Sequence, residues 1–198
     1  MKKNIAILAA TIAAALLIPG CASKPARYVD SKGPNTIVSL NQINIQDFEK
    51  AADDLVVDII ASGVLERAPQ QPAIMAISRI TNQTTDNFDM DSLVKKIRAA
   101  LLKTGKVVTT TTLAYSGVED PLARGIADKN AHLTGTPATP TPYYTLSGKI
   151  LEDKARAGKT NQTTYIFQLT LTTVKDGLGV WEGEKLITKQ GRVNSVGW

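Results

Sequence analysis

The stretch "TYIFQLTLTTVKDGLGVWEGEKLIT" (164–188) decides the fold class. Tyr165, Phe167, Leu169 and Leu171 alternate with Gln168, Thr170 and Thr172. That period of two marks a strand with one buried face. "KDGL" (175–178) makes a turn, and "VWEGEKLIT" (180–188) returns as a second strand.

Working outward, "YYTLSGKIL" (143–151) reads as a third strand, leading into a polar loop. "AIMAISRI" (73–80) is a short apolar run between Pro72 and Thr81-Asn82, as in a strand buried on both faces. "KVVTTTTL" (106–113) is β-branched almost throughout and reads as a fifth strand. Two segments carry the helical period instead. In 45–62, Phe48, Ala52, Leu55, Val56 and Ile59 form the apolar stripe and Gly63 the stop. In the second, Asp89 is the N-cap, Met90, Leu93, Val94, Ile97 and Leu101 form the stripe, and Gly105 ends it. Residues 114–142 read as irregular, because proline recurs in "TGTPATPTP" (134–142). The expected fold is α+β: a mixed sheet of about four to five strands flanked by two or three helices.

Composition limits the chemistry. With 43% hydrophobic and 21% charged residues the chain can build a core, and with 5% aromatic residues that core is mostly aliphatic. One cysteine forbids an intramolecular disulfide, and one cysteine with one histidine cannot supply a structural zinc site. The net charge of +5 includes Lys2 and Lys3 and falls to about +3 without them. Together with the lack of any recognition motif, that excludes nucleic acid as a partner.

Residues 1–20 read as an export signal: Lys2 and Lys3, then an apolar run from Ile5 to Ile18 that is short for a membrane span. "IPGC" (18–21) resembles a lipobox, which makes Cys21 the expected acylated first residue of the mature protein, held in a membrane by its acyl chains. Ala22, not aspartate, follows, and this points to the outer membrane facing the periplasm. Residues 21–43 read as a lipidated flexible tether, and 44–198 as the globular domain. Fully extended, the tether reaches about 75 Å; as a coil, about 25 Å.

The order of these pieces resembles the LpoB-type penicillin-binding-protein activator lipoproteins. The resemblance rests on "NQINIQDFEKAADDLV" (41–56), "AISRITNQTT" (76–85), "LVKKIRAALLKTGKVV" (93–108), "YTLSGKI" (144–150) and "YIFQLTLTTVKDGLGVWEGEKLITKQ" (165–190), so it covers most of residues 40–190. It implies a TolB amino-terminal-like fold and an outer-membrane lipoprotein without catalysis or cofactor. The implied partner is a bifunctional penicillin-binding protein, a peptidoglycan synthase, which it activates as a monomer in cell-wall synthesis. Peptidoglycan itself stays open as a second partner. The alternative is a curli-secretion-like or other structural envelope lipoprotein of related fold. The chain departs from the family at 121–142, proline- and threonine-rich where several members have a helix.

No residue set reads as catalytic or metal-binding. "AGKT" (157–160) lacks the first glycine of a phosphate loop, since Asp153 stands there, and reads as a hairpin loop. "DNFDMD" (86–91) lacks the glycine and glutamate of a calcium loop. His132 is the lone histidine, and no Gly-x-Ser-x-Gly elbow accompanies it. Glu182 and Glu184 share a strand face, as expected of a solvated surface. The candidates that remain are for binding. Lys154, Arg156 and Lys159 cluster between two strands, either a docking patch for an acidic partner or anionic wall polymer, or a solvated loop. Trp181 is either a core anchor or part of a binding surface. Asn82 and the threonines of "TNQTT" (81–85) are expected to satisfy backbone groups in a turn.

Overall fold

In the computed structural model, which describes residues 26–31, 33–113, 117–137, 140–192 and 196–197, the elements follow in this order. β1 (Val38–Ser39) leads into α1 (Ile45–Ala61), a short 3₁₀ turn (Leu65–Arg67), β2 (Ala73–Gln83), α2 (Met90–Lys103) and β3 (Val107–Thr109). Then come α3 (Pro121–Thr134), β4 (Tyr144–Ala157), β5 (Thr160–Thr173), β6 (Gly179–Gly191) and β7 (Val196–Gly197). The expected signal peptide and Cys21 lie outside the described residues.

The main sheet has the order β3-β2-β4-β5-β6. β2 runs parallel to β3 and to β4, while β4, β5 and β6 are antiparallel. Parallel neighbours need a crossover, and α2 supplies the one between β2 and β3. α1 and α2 pack against each other on one face of the sheet, α1 over β6 and α2 over β2 and β3. The helix stripes and the sheet's inner residues meet there in one mostly aliphatic core, whose aromatic members include Phe48, Tyr144, Tyr165, Phe167 and Trp181. The fold is thus the α+β mixed sheet expected from the sequence.

Local signals set the helix ends. Asp89 Oδ1 accepts the Asp91 N–H at 2.9 Å, capping α2 as predicted. At α1, the Asp47 carboxylate accepts the Asn44 N–H at 2.8 Å. Asn82 holds its turn as expected: its Oδ1 accepts from the Thr84 N–H at 2.9 Å and its Nδ2 donates to the Asp86 carbonyl at 2.7 Å.

Four expectations need correction. The proposed loop after 151 is strand: β4 continues to Ala157 and pairs with β5 back to Thr160, so only Gly158 and Lys159 turn the hairpin. Gly158 at φ 59° takes the left-handed conformation that the tight turn demands. The fifth strand is short, because the chain leaves the sheet after Thr109. Thr110 Oγ1 donates to the Leu113 carbonyl at 2.7 Å, and the Thr111 carbonyl accepts the Glu119 N–H at 3.0 Å.

Residues 121–134 form a helix rather than irregular chain. Its caps specify it, not burial: Asp120 Oδ1 accepts the Ala123 N–H at 2.9 Å, Pro121 opens the first turn, and Gly135 closes it at φ 70°. No residue of α3 is buried, and Leu122, Ile126 and Leu133 are exposed.

The last correction concerns the tether. Leu40 is 3% exposed, β1 pairs with β7, and Gln46 Nε2 donates to the Ser31 carbonyl at 2.9 Å. The stretch from Ser31 to Ile43 is therefore attached to the domain wherever it is described. Lys189 of β6 makes the attachment firm. Its buried ammonium pairs with Asp47, donates to the Gln42 carbonyl at 2.8 Å and the Ser39 carbonyl at 3.3 Å, and sits 5.5 Å from the Tyr165 ring centroid.

Two predictions concern stability. Lys189→Met strands a buried carboxylate and is expected to cost about 3–5 kcal/mol in urea unfolding, most of it recovered when Asp47→Asn is added. A Cβ on Gly183 would lie 2.4 Å from the Trp181 ring, whereas one on Gly125 in α3 meets nothing within 4 Å. Gly183→Ala should destabilise by about 1–3 kcal/mol and Gly125→Ala stabilise by about 0.5–1 kcal/mol, read as shifts of the unfolding midpoint.

Candidate functional site

The long strands give the domain two poles. β5 has 14 residues, about 45 Å at strand rise. The Gly158-Lys159 turn caps one end. The connection from Val174 to Leu178 caps the other.

The tether joins at the first pole. The Ile43 N–H donates to Asp86 Oδ2 at 3.0 Å, and the Tyr165 hydroxyl donates to the same oxygen at 2.8 Å. Burial, aided by that bond to Asp86, pushes the Tyr165 phenol well above its ordinary range. Beside it, Glu152 Oε2 accepts from the Thr85 N–H at 3.0 Å and the Thr85 hydroxyl at 2.7 Å, while Lys154 Nζ lies 2.8 Å from Oε1. Burial pushes Glu152 up, but Lys154 and Thr85 together outweigh it and hold its carboxyl below the usual range.

Further toward the tip the charge is positive. Arg156 and Lys159 are exposed, and Arg156 Nε donates to the Gly158 carbonyl at 3.1 Å. Arg156 pairs in register with Asn161, and Asn161 with Gly191, which places exposed Arg192 next to the hairpin tip.

The sheet face away from α1 and α2 carries ordered cross-strand rows. Thr81, Lys149, Gln168 and Glu184 form one row, and Gln83, Leu151, Ile166 and Leu186 the next. Gln168 Nε2 donates to Glu184 Oε2 at 2.6 Å. An open polar groove of about 480 Å³ runs across this face, with Ser147, Thr170 and Glu182 on its far side.

The second pole is apolar. Ile74, Tyr143, Val174, Pro69 and Pro142 line a pocket of about 400 Å³, with Lys175 at its rim. Backbone bonds fix its walls: the Tyr143 N–H donates to the Ile74 carbonyl at 2.8 Å and the Val174 N–H to the Tyr143 carbonyl at 2.9 Å.

These positions sort the sequence candidates. Lys154, Arg156 and Lys159 share the tether pole, on strand and turn rather than in a loop. Trp181 stands apart from them, opposite Leu171 and ten positions of β5 from Asn161, about 33 Å. It is 9% exposed, with Nε1 donating to Asp58 Oδ2 at 3.1 Å beneath α1. His132 lies on exposed α3, and Glu182 and Glu184 face solvent. Among the described residues, no three metal-capable side chains converge. Sequence reasoning missed Arg192 and the apolar pocket. Ile166 and Leu186 did leave a signal, since both interrupt the alternation on the open face.

The sequence matches the model of a family described as "Peptidoglycan-synthase activator LpoB" over residues 47–187. No curated protein matches. Among solved structures, the LpoB C-terminal domain from Escherichia coli is 17% identical, covering 72% of this chain and 99% of that one at a TM-score of 0.43. The LpoB C-terminal domain from Salmonella enterica is 15% identical, covering 71% and 98% at 0.42. A PelC dodecamer from Paraburkholderia phytofirmans is 20% identical, covering 65% and 83% at 0.32.

A depressed carboxyl stabilises the fold above the ordinary carboxylate range and loses that contribution as pH falls through its lowered value. The melting temperature should therefore drop on acidification below the usual glutamate value of 4.5. In Glu152→Gln the drop should be smaller, as followed by calorimetry across the acid range.

Proposed function

The chain belongs to the peptidoglycan-synthase activator LpoB family, and on that premise we propose that it is a lipid-anchored regulator of cell-wall synthesis. It binds a bifunctional penicillin-binding protein and favours the synthase's active state. Such a shift requires tighter binding to that state than to the resting one. The observation that carries this reading is the family match across residues 47–187, nearly the whole of the folded body.

The rest of the chain supports it. The lipobox at Cys21 gives a reason for an outer-membrane address, and no described helix is long and apolar enough to cross a membrane. We read the chain as a regulator rather than a catalyst because its family is described as an activator of a peptidoglycan synthase.

The apolar pole is the contact surface in this reading. Ile74, Tyr143 and Val174 offer a pre-shaped pocket for an anchoring side chain of the synthase, and such anchors dominate interface energies. The tether joins at the other end, which leaves this pole unobstructed.

Added to a purified bifunctional synthase from its own cell, the chain should accelerate glycan polymerisation. Val174→Asp places a charge at the pocket and should weaken binding about tenfold, a loss of about 1.4 kcal/mol, with an unchanged circular dichroism spectrum. If no synthase is captured by crosslinking in the envelope and glycan polymerisation is unaffected, the reading fails.

A further inference from the structure

The hairpin tip at the tether pole carries exposed cations that no carboxylate neutralises among the described residues. Lys154 is neutralised by Glu152, and Lys189 by Asp47. Arg156, Lys159 and Arg192 have no carboxylate within ion-pair distance among the described residues, and all three are exposed. Asp153 is the nearest acid in sequence. It alternates with Lys154 and Arg156 along β4, so it projects from the opposite side of the strand. The three cations are held in place by strand pairing, since Arg156, Asn161 and Gly191 are consecutive partners across β4, β5 and β6.

The tether arrives beside this tip. Asn41 Oδ1 accepts from the Thr163 hydroxyl at 3.5 Å, and Lys189 binds the carbonyls of Ser39 and Gln42. With residues 31–43 attached wherever they are described, only the nine positions from Cys21 to Val29 separate the expected anchor from the attached stretch. Extended, that is about 30 Å. So short a leash lets the pole reach the bilayer surface, and anionic headgroups attract cations that come within about a Debye length of it.

We propose that the tether pole is a second membrane contact, in which Arg156, Lys159 and Arg192 dock on the anionic headgroups of the bilayer holding the acyl chains of Cys21. The proposal rests on the lipid-anchor reading. One acyl signal plus a basic patch is a common route to a stable, oriented attachment. Docked in this way, the domain stands with β5 rising from the surface and the apolar pole outermost.

The test uses the full chain as the cell matures it, with a fluorophore on Thr160→Cys at the tip or on Val174→Cys at the far pole. Each is mixed with phosphatidylcholine vesicles, with or without phosphatidylglycerol, carrying headgroup quenchers. The tip label should be quenched several-fold more by the phosphatidylglycerol vesicles, and salt at about 0.5 M should abolish the difference. R156E/K159E/R192E should abolish it too, with an unchanged melting temperature. The far label should stay bright throughout. Equal quenching in both vesicle types, insensitivity to the triple variant, or quenching of the far label instead would overturn the proposal. The mass of the mature protein decides the anchor separately: without acyl chains the anchor reading fails, while tip quenching by added vesicles still decides the docking.

Discussion

One buried ammonium organises how this chain closes on itself. A charged group away from water must be matched by a counter-charge and by acceptors for its remaining protons. Lys189 finds them in Asp47 at the start of α1 and in the carbonyls of Ser39 and Gln42. Those partners belong to the beginning of the described chain, while Lys189 lies near its end. The same Asp47 also accepts from the Asn44 N–H, so one carboxylate both starts the first helix and secures the last long strand. Tyr165 lies below the ammonium and ties Asp86 into the same cluster. The entry of the chain, its first helix, the turn before its second helix and its edge strand are thereby fixed relative to one another.

The sheet divides the remaining labour by face. Its inner face is aliphatic and covered by two helices. Small residues there make room for large ones, as when the indole of Trp181 lies over Gly183 under Leu55. Its outer face is left to water, with rows of hydroxyls, amides and charges, and Leu151, Ile166 and Leu186 as the apolar exceptions. Two apolar surfaces stay uncovered elsewhere among the described residues, the exposed Leu122, Ile126 and Leu133 of α3 and the pocket at Tyr143, and they lie on segments that follow β3 or border β4.

Where side-chain period reports burial, the sequence was legible. The alternation of 164–174 and the stripes of Phe48–Ile59 and Met90–Leu101 became strand and helices because a buried face leaves a repeating mark. α3 left none: its stability comes from Asp120, Pro121 and Gly135, and a helix that buries nothing has no stripe to read. β4 and β5 reach several residues beyond their apolar parts, because backbone pairing around the Gly158 turn continues where side chains are polar. Lys189 was hidden for a similar reason. A lysine on an edge strand reads as solvated, and only the folded chain brings Asp47 to it across more than a hundred residues. The basic tip was visible as Lys154, Arg156 and Lys159, but Arg192 joins it only through strand register.

The β1–β7 pairing gives the attachment a mechanical character. It consists of two residues on each side, and along the chain it leads into the residues that meet Lys189 and Asp47. Tension on the N-terminal chain is therefore borne first by this short pair and by the contacts of Gln46 with the Ser31 carbonyl and of Asn44 with the Ile37 carbonyl, and only afterwards by Leu40 and the buried ion pair. Parting the outer restraints pays out the chain from Ser31 to Ser39, about 30 Å more of contour, while α1 and the five-stranded sheet stay folded. The leash thus has two lengths, and the step between them is set by two residues of β-ladder rather than by the stability of the domain.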